Sequence, residues 1–460
     1  MPDLHVVVLA AGKGTRMKSA LPKVLHRVAG TPMIDYVLDA AARLSPRSTA
    51  VVVGHQAGAL KAALAWRQDL TIVVQEPQLG TAHALLATEP VLGDAGGTLL
   101  LLSGDVPLLT PATLDALVRK HGDTGAALTV VTAVAARPDG YGRIVRTGEG
   151  IARIVEQKDA SPAEAAITEV NAGIYAFALA GLFDAVRSIA ARNAQGEYYL
   201  PDLVALYRRR GLGVETMTVS DPDEVRGINS RGELAAAARA VRESKNADLM
   251  AGGVTLDDPA TTYVGRDVQV GADTVIRPGV SLEGRTTIGE GCEIHSGVRI
   301  VDSRIGDRVT IHNHSVLTGV TVGEDASVGP FAHLRGEASV GRRAKVGNFV
   351  EMKKTALGEG SKAMHLAYLG DAEIGANVNI GAGTITCNYD GERKHVTKIE
   401  DGAFIGSDTQ LVAPIVVGEG AYVGTGTTVR ENVPPGALAV SAGKQRNIEG
   451  WVDRRKRRRS

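Results

Sequence analysis

A glycine-rich turn near the start of the chain has the composition of a phosphate-binding loop. Residues 9–17 follow a short apolar run and combine two glycines with Lys13 and Arg16. Small residues let backbone N–H groups approach phosphate oxygens closely, and the two cationic side chains add positive charge. The spacing lacks the first glycine of a Walker A loop, and Met17 stands where the dinucleotide fingerprint has its third glycine. The loop therefore predicts a phosphate site of another kind.

Polar side chains in the second half concentrate where a repeating apolar pattern is interrupted. They are Arg335 and residues 351–354, 365–371, 377–383 and 387–390. Loops that leave a rigid scaffold are common places for binding and catalytic residues. His365 suits acid–base chemistry near neutral pH, and Cys387 is a possible nucleophile. For a lone histidine, however, a structural role in a turn is the commoner one.

The interrupted pattern is a ladder of aliphatic residues that returns every six positions. Its members are Val264, Val270, Ile276, Leu282, Ile288, Ile294, Ile300, Val316, Val322, Val328, Leu334, Val340, Val346, Ile399, Ile405, Leu411, Val417, Val423 and Val429. This period fits neither a helix nor an ordinary strand, and a β-sandwich would need alternation by two. It predicts a parallel β-helix, in which each unit makes one short strand and one turn. The ladder slips within 352–357 and 369–374 and breaks within 386–399.

The first half alternates short apolar runs with helix-like stretches. The runs are residues 6–9, 49–53, 71–74, 99–102 and 128–134, and the helical stretches include 32–44 and 110–121. This alternation predicts an α/β domain with a largely parallel sheet. Ligands of such sheets bind at the carboxyl ends of the strands, so the glycine-rich loop is well placed to contact one.

The junction between the two halves is a predicted helix. Ser230 and Glu233 form a capping box that opens a helix over 232–250, before the ladder starts. We therefore expect four segments. They are a first domain at 1–229, a linker helix at 230–251, the β-helix domain at 252–441 and a basic tail at 442–460.

Composition indicates a cytoplasmic protein without a membrane or nucleic-acid partner. The chain has 460 residues and a formal net charge of zero, so no overall attraction to nucleic acid is implied. Cys292 and Cys387 are too few for a disulfide framework. The early apolar run is too short for a membrane span, and no basic leader precedes it, so we expect no signal peptide. The basic residues 454–459 are typical of a solvated terminus, and contact with an anionic partner is the alternative.

Further motifs resemble a known enzyme family along nearly the entire chain. Residues 10–16 with Pro22-Lys23 resemble the signature of sugar-phosphate nucleotidyltransferases. The other matching segments are 75–77, 80–84, 104–108, 140–143, 155–156, 171–173 and 227–229. Together with the polar clusters of the ladder, they resemble the bifunctional N-acetylglucosamine-1-phosphate uridyltransferase/glucosamine-1-phosphate acetyltransferase family. The resemblance implies a Rossmann-like nucleotidyltransferase domain followed by a left-handed parallel β-helix of hexapeptide repeats.

The resemblance implies a uridyltransferase site in the first half. The residues it assigns to UTP or UDP-N-acetylglucosamine are Leu9, Ala10, Ala11, Gly12, Lys23, Gln75, Gly80, Thr81, Ser103, Gly104, Asp105, Gly142, Glu156, Asn171 and Asn229. Asp105 and Asn229 would coordinate Mg²⁺, which prefers oxygen ligands and keeps positions for water and phosphate. No protein nucleophile is needed, because alignment and charge neutralisation suffice for phosphoryl transfer. Glu156 could instead be a surface carboxylate, and His83 is given no role.

The same resemblance implies an acetyltransferase site in the β-helix. His365 would be the general base that deprotonates the sugar amine before it attacks acetyl-CoA, with Glu351 orienting or charge-tuning the imidazole. The residues assigned to the sugar-phosphate side are Arg335, Lys353, Tyr368, Asn379, Asn388 and Tyr389. Those assigned to acetyl-CoA are Ala382, Ser407 and Thr425. Acyl transfer through Cys387 is the competing mechanism.

One departure from the family and two other functions complete the expectations. Ala442 stands where the family can carry an arginine for the CoA phosphates, and Lys444 or Arg446 would have to substitute. The resemblance also implies a homotrimer with the acetyl site between chains. The product would be UDP-N-acetylglucosamine, a precursor of cell-wall peptidoglycan. The alternatives are another sugar-1-phosphate nucleotidyltransferase with a regulatory β-helix, or a non-catalytic subunit.

Overall fold

The computed structural model describes residues 3–148, 150–441, 443, 445 and 447–457. The chain forms two compact units, Met1–Val241 and Arg242–Ser460. The substituted position Ala442, both candidate replacements Lys444 and Arg446, and the end of the basic tail lie outside the described residues. Among the described residues, no helix combines the length and the apolar composition needed to cross a bilayer.

A nine-stranded sheet forms the centre of the first unit. Its strands are β1 (Leu4–Leu9), β4 (Ser48–Val53), β5 (Leu70–Val74), β6 (Thr98–Ser103), β7 (Leu128–Val134), β8 (Arg143–Thr147), β9 (Gly150–Val155), β10 (Glu169–Ala178) and β11 (Val214–Thr218), while β2 (Arg27–Val28) and β3 (Thr31–Pro32) form a separate pair. The main order is β11-β7-β10-β6-β1-β4-β5. The pairs along this path are parallel except those of β10, which runs antiparallel to β6 and β7. The predicted α/β domain is therefore confirmed.

Each face of this sheet has its own hydrophobic core. The helices are α1 (Met33–Ala42), α2 (Ala57–Leu64), α3 (Thr81–Leu86), α4 (Glu89–Leu92), α5 (Pro111–Thr124), α6 (Pro162–Ala165), α7 (Leu182–Arg187) and α8 (Asp202–Arg209), with α9 (Arg231–Ala251) at the end of the unit and α10 (Trp451–Arg457) near the chain terminus. Successive strand residues point to opposite faces. Accordingly, Val7 lies in one core and Val6 and Val8 lie in the other. A central strand buried on both faces holds its carboxyl end rigidly.

Helix α9 begins with the predicted capping box. Oε2 of Glu233 accepts the backbone N–H of Ser230 at 2.9 Å, and Oγ of Ser230 accepts the N–H of Glu233 at 3.3 Å. These reciprocal bonds satisfy N–H groups that have no partner within the helix. The division between the two units falls inside this helix, after Val241.

Very short parallel strands make up the second unit. They are β12 (Thr255–Leu256), β13 (Tyr263–Val264), β14 (Gln269–Val270), β15 (Val275–Ile276), β16 (Ser281–Glu283), β17 (Thr287–Ile288), β18 (Glu293–Ile294), β19 (Arg299–Val301), β20 (Arg304–Ile305), β21 (Thr310–Ile311), β22 (Val316–Thr318), β23 (Thr321–Val322), β24 (Ser327–Val328), β25 (His333–Arg335), β26 (Ser339–Val340), β27 (Lys345–Asn348), β28 (Glu351–Leu357), β29 (Lys362–His365), β30 (Tyr368–Ile374), β31 (Asn379–Ile380), β32 (Ile385–Cys387), β33 (Thr397–Ile399), β34 (Phe404–Ile405), β35 (Gln410–Val412), β36 (Ile415–Val417), β37 (Tyr422–Val423), β38 (Thr428–Val429) and β39 (Leu438–Ala439). Most pair with the strand three positions further along the chain. This pattern is the predicted parallel β-helix, with about three strands to a coil.

The buried ladder fills the interior of the β-helix, with one correction to its predicted phase. Val316 was expected to point inward, but it is half-buried, and Leu317 lies in the core and pairs with Ile300. The reason is a five-residue step from Ile300 to the buried Ile305, which moves every later inward position by one until a second short step follows Leu317. A coil can omit one corner residue and keep its strands in register.

Three later irregularities of the ladder occur where they were predicted. Strands β28 and β30 each continue through a corner for seven residues, and they contain the slips at 352–357 and 369–374. The break within 386–399 begins in β32, where Thr386 is buried in place of an aliphatic residue, and it continues through the loop after that strand. The polar clusters therefore lie on modified coils of a regular scaffold.

Candidate active sites

A cavity of about 480 Å³ lies at the carboxyl ends of three strands of the first unit. Its lining residues are Leu9, Ala10, Ala11, Gly12, Lys13, Lys23, Val24, Gln75, Gln78, Gly80, Thr81, Ala84, Ser103, Asp105 and Glu197. Leu9 ends β1, Gln75 follows β5 and Ser103 ends β6. Ten of the residues that the sequence assigned to the nucleotide are in this lining. The edge of the sheet thus brings together segments far apart in the chain.

The glycine-rich loop packs directly against Lys23. Gly14 has φ of +57°, a conformation that residues with a Cβ rarely adopt. A Cβ built on Gly14 would lie 2.7 Å from Cβ of Lys23, which is too close for any side chain. Glycine at this position therefore lets the Lys23 segment approach the loop and directs its amine toward the cavity.

Lys23, Asp105 and Asn229 form a charged cluster at the cavity wall. Nζ of Lys23 donates to Oδ2 of Asp105 and, at 2.9 Å, to Oδ1 of Asn229. The backbone N–H of Ile228 donates to the Asp105 carbonyl at 2.9 Å, which holds the segment carrying Asn229 beside the end of β6. Both Lys23 and Asp105 are mostly buried, so their attraction is only weakly screened by solvent.

The oxygens of this cluster have the chemistry of a magnesium site. One carboxylate and one amide oxygen converge on a single cation, the Lys23 ammonium. Mg²⁺ is commonly held by one or two protein oxygens together with water and substrate phosphates. Across the residues that the structure describes, no group of three or more His, Cys, Asp or Glu side chains is arranged to hold a metal. Asp105 and Asn229 therefore fit Mg²⁺ better than a metal that needs a closed protein cage.

Gly142, Glu156 and Asn171 lie together beside the cavity without lining it. The N–H of Asn171 donates to the Gly142 carbonyl at 2.9 Å. A Cβ at Gly142 would lie 3.1 Å from Oε1 of Glu156, so glycine leaves room for that carboxylate. Oδ1 of Asn171 accepts the N–H of Gly173, whose carbonyl accepts the Ser103 hydroxyl at 3.3 Å. This chain of contacts links the cluster to the cavity lining.

The Glu156 carboxyl group has a raised pKa. Burial is the main cause, and the negative charges of Asp159 and Asp202 add to it, while Arg143 opposes it. Glu156 is only half-exposed. This environment does not fit the alternative of a freely solvated surface carboxylate.

The sequence missed several lining residues of the cavity, including Gln78 and Glu197. Glu197 reaches the cavity because the next residue, Tyr198, pairs its backbone with the segment that contains Gly80. The N–H of Tyr198 donates to Leu79 at 2.8 Å, and the Tyr198 carbonyl accepts from Ala82 at 3.0 Å. Neither segment is a strand at this point, so no local pattern could have indicated the contact. Gly104 and Asn229 were predicted and lie next to the cavity rather than in its lining.

On the β-helix, strand register places the predicted polar residues side by side. Arg335 pairs with Lys353 on the next coil, and Glu351 pairs with Tyr368 on the coil after that. Nη2 of Arg335 donates to Oε1 of Glu351 at 2.6 Å, and Nε donates to the same oxygen at 3.0 Å. Stacked coils therefore form a continuous polar surface from residues about 17 positions apart.

His365 has a different partner from the one expected. Nδ1 lies 2.8 Å from Oδ1 of Asn348, its register partner on the preceding coil. Glu351, which was expected to orient or charge-tune His365, forms an ion pair with Arg335 instead of a hydrogen bond with the imidazole. When Nδ1 donates to the amide oxygen, the neutral ring leaves Nε2 as a proton acceptor. The side chain is exposed, so Nε2 is accessible from outside the coil.

Lys394 is a cationic residue of this surface that the sequence did not single out. Its backbone forms an isolated antiparallel β-bridge with Tyr389 across a short loop, and its side chain contacts Lys353. The pKa of Lys353 is lowered, first by its contact with Lys394 and the charge of that residue, and further by burial and Arg335, against the opposing charge of Asp371. Asp371 in turn accepts from Nδ2 of Asn388. Several cations so close together favour binding of a strongly anionic group.

Ala382, Ser407 and Thr425 lie at equivalent corners of consecutive coils. The Ala382 carbonyl accepts the N–H of Asp408 at 2.7 Å, and the Ser407 carbonyl accepts the N–H of Gly426 at 2.9 Å. Each bond joins one corner to the next. The three predicted acetyl-CoA residues therefore form one row along the β-helix.

Comparison with known proteins agrees with both halves. Residues 6–210 match the MobA-like NTP transferase domain, residues 262–353 match the GMPPB C-terminal domain, and residues 396–431 match the hexapeptide repeat of succinyl-transferase. The chain is 50% identical over 459 residues to the bifunctional protein GlmU of Pelobacter propionicus, covering 100% of both chains. It is 52% identical to the bifunctional protein GlmU of Trichlorobacter lovleyi, covering 97% of both. This similarity spans both units, so the chain belongs to the GlmU family of bifunctional proteins.

Proposed function

We propose that the chain makes UDP-N-acetylglucosamine in two steps at two separate sites. The β-helix surface acetylates glucosamine 1-phosphate, and the cavity of the first unit transfers UMP from UTP to the N-acetylglucosamine 1-phosphate so formed. The observation that supports this proposal is the presence of two separate clusters of polar side chains in a chain that matches bifunctional relatives from end to end. The product is a precursor of cell-wall peptidoglycan.

Uridylyl transfer requires two anionic reactants to be held in line. Lys23 would bind a phosphate of UTP, while Gln75, Gly80 and Thr81 contact the uridine. Gly142, Glu156 and Asn171 would hold the sugar. Mg²⁺ bound by Asp105 and Asn229 would neutralise charge on the phosphates. The cavity then supplies alignment and electrostatic stabilisation, and no covalent intermediate with the protein is needed.

The Asp105→Asn variant tests the magnesium site. An amide is a weaker ligand than a carboxylate, so pyrophosphate release from UTP and N-acetylglucosamine 1-phosphate should fall by about 1,000-fold, with partial recovery at high Mg²⁺. Asp94 is exposed and does not line the cavity, so Asp94→Asn is the matched control. Full activity of Asp105→Asn at low Mg²⁺ would exclude this ligand assignment.

Acetyl transfer requires a neutral amine on the sugar. Nε2 of His365 would take a proton from the sugar amine as the amine nitrogen attacks the thioester carbonyl. The carbon–sulfur bond then breaks, and the CoA thiolate leaves and takes up a proton. Arg335 and Lys353 would bind the sugar phosphate, and we add Lys394 to this set. Asn348 keeps the histidine tautomer in which Nε2 accepts.

We assign the other predicted residues of the β-helix to its two substrates. Tyr368 and Asn379 would contact the sugar, Asn388 and Tyr389 would complete the substrate side, and Ala382, Ser407 and Thr425 would line the CoA slot.

The His365→Ala variant tests the general base. Thiol release from acetyl-CoA with glucosamine 1-phosphate should fall by about 100- to 10,000-fold. Pyrophosphate release from UTP with N-acetylglucosamine 1-phosphate should be retained. For the competing covalent mechanism, no side-chain base is hydrogen-bonded to the Cys387 thiol among the described residues. Cys387→Ala should therefore retain acetyl transfer, and a complete loss in a folded protein would support the covalent mechanism.

A trimer of this chain would cover the acetyl site. His314, Phe331, Phe349 and Leu366 occupy one corner of successive coils, all with positive φ. Phe331, Phe349 and Leu366 are 49%, 56% and 62% exposed, and the rings of Phe331 and Phe349 stack at 5.4 Å. Leu366 follows His365 directly, and Phe349 follows its partner Asn348. An exposed apolar ridge beside a catalytic residue fits contact with a second copy of the chain.

Sedimentation tests this assembly. We expect a particle with the mass of three chains, each of 48.0 kDa, at assay concentrations. A single-chain mass under conditions of full acetyl transfer would contradict it.

A further inference from the structure

His83 lies beside the nucleotide cavity near the start of α3, and the proposed mechanism gives it no role. Its Nδ1 atom is 3.1 Å from Nε2 of Gln75. Gln75 is 4% exposed, lines the cavity and follows directly after β5. The two side chains therefore form one polar unit at the cavity wall.

The orientation of the Gln75 amide follows from its second contact. Nε2 donates to the carbonyl of Gly80 at 3.0 Å. A carbonyl oxygen only accepts hydrogen bonds, so the amide atom that faces Gly80 is the one that carries hydrogens. The remaining N–H points at Nδ1 of His83, which accepts it when the ring is neutral and protonated on Nε2. Both donor hydrogens of the amide are thereby used.

Oε1 of Gln75 is left as a hydrogen-bond acceptor for a ligand. Within the described part of the chain it makes no hydrogen bond. It is also not among the fully buried polar atoms that lack a partner, so solvent reaches it. Uracil presents a donor at N3 and would bond to this oxygen, whereas cytosine presents an acceptor at N3 and would be repelled.

We propose that His83 is a positioning residue that selects uracil by locking the Gln75 amide in one orientation. The inference rests on the proposed uridylyl transfer and extends it to the choice of base. Without the Nδ1 acceptor, the amide loses one of the two bonds that hold it and can turn over. A turned amide would present N–H groups to the base and reduce discrimination against cytosine. Fixed polar groups reject ligands that leave them unpaired, and mobile ones do so less strongly.

The test compares UTP with CTP in three variants of the full chain. His83→Ala should raise KM for UTP about tenfold, change kcat by no more than about twofold, and raise the CTP-to-UTP ratio of kcat/KM. His83→Asn places an amide oxygen near the position of Nδ1 and should restore both values. His55 is exposed and does not line the cavity, so His55→Ala should behave as the parent protein.

Unchanged KM and base preference in His83→Ala would overturn the proposal. Equal losses in His83→Ala and His83→Asn would also overturn it, because packing and not the acceptor would then be responsible. If the alanine variant unfolds, His83→Phe, which keeps a ring without the nitrogen, carries the same prediction. Absence of uridylyl transfer in the parent protein would instead refute the proposed function, so the two failures are distinguishable.

Discussion

The two candidate sites differ in how much of each one chain encloses. The first lies in a cavity of about 480 Å³ at the carboxyl ends of β1, β5 and β6. The second lies on the outer wall of the β-helix, where His365 is exposed beside the apolar side chains of Phe349 and Leu366. A reaction in a cavity can be carried out by one chain. For the reaction on the open wall, we propose that a neighbouring copy of the chain excludes water.

The two architectures also gather their residues in different ways. The parallel sheet brings loops from distant parts of the chain to one edge, as with Lys23, Asp105 and Asn229. The β-helix instead places residues about one coil apart in contact, as with Asn348 and His365. The first site therefore depends on the packing of many loops, whereas the second depends on strand register and, in our proposal, on assembly.

The largest expected difference between the sites comes from disrupting the proposed trimer. Phe349→Glu introduces a carboxylate into the exposed ridge, and burying that charge between chains would be costly. We expect dissociation and at least about a 100-fold loss of acetyl transfer, with uridylyl transfer unchanged. Sedimentation and both activities are measured on one sample.

Leu212 is an exposed apolar residue of the first unit, so Leu212→Glu is a matched control that should affect neither reaction. A monomeric Phe349→Glu protein with full acetyl transfer would show that one chain completes both sites.

A smaller effect is expected from Lys394→Met. Loss of one phosphate contact should raise KM for glucosamine 1-phosphate about tenfold and leave uridylyl transfer unchanged. Lys394 also lowers the pKa of Lys353, so Lys353 loses its charge at a lower pH than an ordinary lysine. Removing Lys394 should therefore move the alkaline rise in KM to higher pH. Kinetics across the alkaline range check both outcomes.

Lys61 is exposed on the first unit, and Lys61→Met provides the control. If KM and its pH dependence did not change in Lys394→Met, Lys394 would have no part in binding phosphate.

The smallest effect is expected at the sugar side of the first site. A Cβ at Gly142 would lie 3.0 Å from Cγ2 of Ile154 and 3.1 Å from Oε1 of Glu156, so Gly142→Ala requires both side chains to shift by a few tenths of an ångström. We expect KM for N-acetylglucosamine 1-phosphate to rise about fivefold, with acetyl transfer unchanged. A Cβ at Gly96 meets nothing within 4 Å, so Gly96→Ala is the control. Equal KM values in the two variants would remove Glu156 from the sugar site.

Sequence alone predicted the scaffold well because both scaffolds are periodic. The six-residue ladder predicted the β-helix, and its interruptions indicated the polar region around His365. The predicted phase was wrong at Val316, where Leu317 is the buried residue. A coil can omit one corner residue, and the amino-acid composition of the segment does not reveal it. The antiparallel direction of β10 was also not apparent, because a strand buried on both faces has the same composition in either direction.

Side-chain partners were harder to predict than strands. Glu351 was expected beside His365, and the register places Asn348 there instead. The pairing of Lys394 with Lys353 and the approach of Glu197 to the cavity depend on loops whose path has no sequence period. The role of His83 required the geometry of the Gln75 amide, which no motif encodes.

The most direct test of two independent sites mixes two variants that each lack one reaction. Asp105→Ala and His365→Ala proteins are incubated separately and together with glucosamine 1-phosphate, acetyl-CoA, UTP and Mg²⁺. We predict that neither variant alone forms UDP-N-acetylglucosamine, that Asp105→Ala still releases free thiol, and that the mixture forms the final product. In separate assays, His365→Ala should still release pyrophosphate from UTP when it is given N-acetylglucosamine 1-phosphate. A mixture that stays inactive, or a folded single variant that has lost both reactions when each is assayed with its own substrates, would contradict the division of the chain into two catalytic units.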